Sequence, residues 1–147
     1  MRRTRQGAPP PADPPAGTPR IRWRAVLIGG AVAVLVSLAL SLIGMTLASD
    51  LLFLAATPVG LAAGGAVAGR LAGVFGAFQG GMVAVLWILA EALTDMVAPQ
   101  AADVLGDIAL VVLGDAGRIA IGALFGWLGE KAKRARIRLR RSERDNQ

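Results

Sequence analysis

Asp115 and Arg118 stand three residues apart in L-G-D-A-G-R-I-A-I-G (113–122), a stretch that is otherwise apolar. A spacing of i, i+3 puts both on one face of a helix, where carboxylate and guanidinium can pair. Counted back from Gly129 at 1.5 Å per residue, Arg118 lies roughly 16 Å and Asp115 roughly 21 Å inside a hydrocarbon core of about 30 Å. An unpaired charge at that depth costs at least about 2.5–3.5 kcal/mol, so the two are expected to pair and to face other protein. Gln79 and Ser37 are polar residues at comparable depth in other apolar segments. A cluster of Asp115, Arg118, Gln79 and Ser37 would satisfy the remaining donors and acceptors. Such a cluster has two uses. It can fix the register of packed helices, or it can hold a proton or cation at Asp115 under the influence of Arg118.

Most other chemistry is excluded by residue type. The chain has no His and no Cys, so serine–histidine, cysteine–histidine and histidine–metal sites are absent. No G-x-x-x-x-G-K-S/T phosphate loop occurs. V-L-G-D appears twice, at 104–107 and 112–115. Asp107 and Asp115 are eight residues apart on one helix, roughly 12 Å, too far to share a proton as paired catalytic aspartates do. No catalytic residue, cofactor or metal site is expected, and the protein is expected not to be an enzyme.

The elements that would carry these charges are long and apolar. Ala25 to Gly129 spans 105 residues with only two basic side chains, Arg70 and Arg118. Soluble domains spread their charges along the whole chain, so this pattern means membrane. Residues 25–48 carry no charge, and Trp23 sits where an interfacial aromatic is favoured. That run is too long for the apolar core of a cleaved signal sequence. Residues 51–90 are interrupted only by Arg70. A straight helix of that length would reach roughly 60 Å, twice the core, so it must fold back near 69–73. Four spans follow, at about 25–48, 51–69, 72–92 and 104–129, with a polar loop containing Glu91, Asp95, Pro99 and Asp103. Residues 1–24 hold six of the eight prolines and read as a disordered tail.

Threading is set by the basic residues. The N-terminal tail holds six Arg, the 69–73 turn one, and residues 130–147 eight Lys or Arg. With four spans all fifteen fall on one side, which the positive-inside rule makes cytoplasmic. Both termini are then cytoplasmic in a prokaryotic plasma membrane, and the pI near 11.4 follows without nucleic acid. Lys131, Lys133, Arg134, Arg136, Arg138, Arg140, Arg141 and Arg144 lie directly after the last span, placed to touch anionic lipid at about 1 kcal/mol per charge.

Glycines recur at four-residue spacing: Gly60 and Gly64; Gly65, Gly69 and Gly73; Gly76 and Gly80; Gly122 and Gly126. Small residues let helix backbones approach closely inside lipid, so these positions are expected to pack helices, with spans two and three as a close pair. The faces could also join copies of the chain or a larger membrane complex. The stretches G-G-A-V-A-G-R-L-A-G (64–73) and G-A-F-Q-G-G (76–81) resemble small glycine-rich four-span membrane proteins of prokaryotes. The resemblance covers roughly residues 25–128. It implies the fold and no activity, since none is established for such proteins.

The expectation is an all-α integral membrane four-helix bundle, with a disordered N-terminal tail and a basic C-terminal tail. It is expected to act as a non-enzymatic accessory or scaffold protein. A small ion or proton pathway through Asp115 and Arg118, or a tether holding a cytoplasmic partner through the basic tail, are the alternatives.

Overall fold

The computed structural model describes residues 20–97 and 108–145. Among them the fold is entirely helical: α1 Trp23–Thr46, α2 Asp50–Ala72, α3 Gly76–Val97 and α4 Ile108–Asp145. Each helix is long and apolar enough to cross a membrane. Large apolar side chains such as Leu35, Leu51, Leu54 and Leu113 point outward, while the core is made of small residues, with Leu61, Val26 and Val83 the bulkiest apolar members. An inside-small, outside-large pattern suits a bundle in lipid, where close backbone contact replaces the hydrophobic effect. Of the tail expected at 1–24, residues 1–19 lie outside the described residues, and Trp23 and Arg24 already belong to α1. Residues 98–107, which include the expected start of the fourth span at 104–107, also lie outside them.

Helix ends differ from the expected spans for local reasons. α2 continues through Arg70 and stops at Gly73, whose φ of 71° is the left-handed conformation that ends helices. Gly73 is therefore a helix stop rather than a packing glycine, and the turn is 73–75. α3 runs on past Glu91 to Val97, so Glu91 is a helical residue and not part of a loop. α4 does not end at Gly129. It continues as one helix through the basic segment, bearing Arg140, Arg141 and Arg144 on its last turns.

α2 lies against α1, α3 and α4, and α3 against α1, α2 and α4, whereas the α1 and α4 backbones do not come close. The tightest seams are not between α2 and α3, as the glycine spacing suggested. Gly60 and Gly64 of α2 face Ser37, Ala33 and Gly29 of α1. Gly65 and Gly69 face Gly122 and Gly126 of α4. Gly80 and Gly76 of α3 meet the same two α4 residues. Gly122 and Gly126 thus sit at the centre of two three-helix layers, Gly65–Gly122–Gly80 and Gly69–Gly126–Gly76. A Cβ on Gly65 would lie 2.6 Å from the Gly122 carbonyl oxygen, so only glycine fits. The reason is geometric: a four-residue repeat gives a helix one flat face, and α4 is the helix that both other faces can reach.

Candidate functional site

The four-residue polar cluster does not form. Its members separate into three sites at different heights along the bundle.

Ser37 is the simplest. Its hydroxyl donates to the Ala56 carbonyl of α2 at 3.0 Å, beside Gly60. It is buried and satisfied, and it serves the α1–α2 seam.

Gln79 sits at the basic end, one turn into α3, and is only 1% exposed. Both halves of its amide are used. Nε2 donates to the Arg20 carbonyl at 2.8 Å, and Oε1 accepts from the Arg22 backbone N–H at 3.1 Å. Glu91, the residue that Arg118 reaches, is twelve positions further along the same helix, roughly 18 Å. Gln79 therefore cannot join Arg118.

Around Gln79 the α2–α3 turn is held from both sides. Arg22 Nη1 donates to the Ala72 carbonyl at 2.8 Å, placing a cation on the negative end of α2. Glu130 of α4 accepts from the Gly76 N–H at 2.5 Å, placing a carboxylate on the positive end of α3. Glu130 is buried and also takes Arg134 as an ion-pair partner one turn on. Neither Arg22 nor Glu130 stood out as a site residue in the sequence reading. The available signal was that Glu130 is the only acid between Asp115 and Glu143, in a run dense with cations.

Asp115 and Arg118 do pair, at 3.4 Å, as their spacing implied. The structure adds a third member. The same Nη1 of Arg118 donates to Glu91 of α3, and the other Glu91 oxygen accepts from Trp87 Nε1 at 2.7 Å. The site is thus Glu91–Arg118–Asp115, with Trp87 steering one carboxylate. Arg118 is roughly midway along the apolar part of α4. Glu91, which the sequence placed in the polar loop, is thus a second acid beside Arg118.

This triad is not sealed. The side chains of Arg118, Glu91 and Asp115 remain 35%, 40% and 32% exposed. Arg118 and Glu91 line a groove of about 440 Å³, bordered also by Val34 of α1 and by Trp87, Ala90 and Thr94 of α3. The neighbouring part of α4 is bare. Val111, Val112 and Leu113 are exposed, and Gly114 and Gly117 have no neighbour within reach of an added Cβ. Toward the basic end the interior closes. There the glycine layers, with Leu61, Val83 and Ala84, form the buried interior, and its lining is apolar.

In the basic segment, Lys131 lies 3.7 Å over the Trp127 ring and Arg134 reaches Glu130. Lys133 and Arg136 instead line one groove with Arg70 of α2, the Lys133 ammonium lying beside Gly73 at the end of that helix. Arg138 is exposed. Among the described residues no group of His, Cys, Asp or Glu is arranged to hold a metal ion. Comparison of the chain with protein families, curated proteins and solved structures finds no match.

Proposed function

We propose that this protein is a non-enzymatic accessory or scaffold protein of a prokaryotic plasma membrane, with both termini cytoplasmic. It holds a transmembrane helix of a partner against the groove between α1, α3 and α4. The observation that carries this reading is the Glu91–Arg118–Asp115 triad, charged, one-third exposed and midway along the apolar stretch. Charges at such depth are expensive unless covered, and among the described residues the groove leaves them about one-third exposed. The triad carries two carboxylates against one guanidinium. A partner side chain that offers a cation complements it, whereas a second copy of this chain would bring another excess carboxylate.

A proton or ion pathway needs polar groups from one face to the other. The packed glycine layers below the triad interrupt any such series, and Gln79 spends its amide on backbone groups. That favours docking over conduction.

The test uses co-reconstitution with a Leu-rich host helix bearing Lys, Leu or Glu at its centre, each carrying a dye for energy transfer. The Lys helix should associate with the protein, and the Leu and Glu helices should not. Glu91→Gln combined with Asp115→Asn should remove the preference. Equal transfer from all three helices would sink this reading. Proton or cation flux that is lost on Asp115→Asn would replace it with the pathway.

A further inference from the structure

We propose that Arg70, Lys133 and Arg136 form a binding site for the phosphate headgroup of an anionic phospholipid in the cytoplasmic leaflet. The site rests on the reading of the four helices as membrane spans, and not on the docking groove.

The three cations come from two helices. Arg70 is in the last turn of α2, and Lys133 and Arg136 are one turn apart on α4, beyond its apolar part. They converge on an open groove of about 530 Å³ whose remaining lining is Val67, Leu71 and Ile137. Among the described residues no carboxylate lines it. Three neighbouring cations are engaged elsewhere: Arg22 on the Ala72 carbonyl, Lys131 on Trp127 and Arg134 on Glu130. The intervening helical geometry sorts the basic segment into two faces. Arg134 turns to the α3 end through Glu130, while Lys133 and Arg136 share the α2 side.

Three like charges brought together with no anion repel one another, so the groove is complementary to a phosphate. Arg can bind it through two parallel N–H donors, and Lys supplies a point charge. The apolar lining decides the source of that phosphate. Leu71 is exposed and Val67 half-buried on this side of α2, where the glycerol and the first acyl carbons of a lipid would lie. A soluble phosphate makes no use of them. The height also fits, since the last turn of a span is at headgroup level, where basic pockets between helices recognise anionic lipid.

The experiment measures thermal unfolding of the full chain in neutral detergent against added short-chain phosphatidylglycerol. Parallel titrations use short-chain phosphatidylcholine, inorganic phosphate, glycerol phosphate and a short RNA. Stabilisation by a ligand that binds the native state reports its affinity. Phosphatidylglycerol should stabilise, and the other four should not. Arg70→Gln, Lys133→Gln and Arg136→Gln should each weaken its apparent affinity about fivefold, the equivalent of about 1 kcal/mol per cation. Arg70→Lys should lose less than Arg70→Gln. Arg138→Gln removes an equal charge outside the groove and should change affinity less than twofold. The proposal is overturned if Arg138→Gln weakens binding as much as the groove variants, which would mean a diffuse tail effect. It is equally overturned if phosphate or RNA stabilises as well as the lipid. Retention of the unmodified protein in alkali-washed membranes checks the membrane reading separately, so failure of that reading is distinguishable from failure of this site.

Discussion

Arg118 of α4 is shared between two acids, Asp115 on its own helix and Glu91 on α3, through one guanidinium nitrogen. The bond to Glu91 crosses a helix–helix seam, whereas the bond to Asp115 stays within one turn and is longer, at 3.4 Å. The two are therefore unequal in what they hold together.

A double-mutant cycle in detergent should measure that inequality. The coupling of Arg118→Gln with Glu91→Gln is expected at about 1–2 kcal/mol, within the range of polar contacts between membrane helices. The coupling of Arg118→Gln with Asp115→Asn is expected at about 0.3–0.5 kcal/mol, as for an ordinary same-helix pair. Equal couplings would mean that the bond across the seam has no special role in holding α3 to α4.

Glycine substitutions should divide by layer. Gly122→Ala and Gly126→Ala put a methyl group against the α3 backbone, at Gly80 and at Gly76, and should cost about 1–3 kcal/mol each. Gly114→Ala and Gly117→Ala, on the same helix, meet open space and should be neutral or stabilise by up to about 1 kcal/mol. Chemical unfolding of the four variants in one detergent decides the matter.

The carboxylate at the start of α3 should matter more than its ion pair. Glu130→Ala removes the acceptor for the Gly76 N–H and should cost about 1–2 kcal/mol. Arg134→Gln, at a side chain 61% exposed, should cost under about 0.5 kcal/mol. If the order reverses in thermal unfolding, Glu130 is held for Arg134 and not for the helix end.

Gln79 makes a prediction at single-amide level. Gln79→Leu strips the Arg22 N–H of its acceptor, so hydrogen exchange at that amide should accelerate. Gln79→Glu keeps an acceptor there but removes the donor to the Arg20 carbonyl, and its exchange should be intermediate. Unchanged protection in both variants would show that the amide is not what fixes residues 20–22.

Hydropathy and glycine spacing made four apolar helices legible, because both are properties of a single segment. What lay between segments was harder. Glycine repeats at 60–80 showed that backbones would meet, but a repeat on α2 fits α1, α3 or α4 equally well, and only the packed bundle selects α1 and α4. Asp115 and Arg118 were legible as a pair because a helix fixes i, i+3. Glu91 follows Ala90 and precedes Asp95 in a stretch of falling hydropathy, which reads as a loop. It stays helical where Trp87 and Arg118 take up its carboxylate. Gln79 was visible as a polar residue in an apolar span, yet its partners are main-chain atoms of Arg20 and Arg22. No pattern of side chains encodes those. The basic segment read as a tail because charge marks the end of a span and does not mark the end of a helix.

The two clamps on the α2–α3 turn also carry information about time. Arg22 is made before the turn and waits for it, whereas Glu130 is 54 residues downstream of the Gly76 amide it receives. During synthesis three helices exist while the amino end of α3 still has no carboxylate to meet. The glycine layers are equally incomplete, because their central residues, Gly122 and Gly126, belong to the last helix. Closure of the bundle is therefore a late, non-local event that α4 triggers, and a chain truncated before Gly122 lacks both the wedge and the latch.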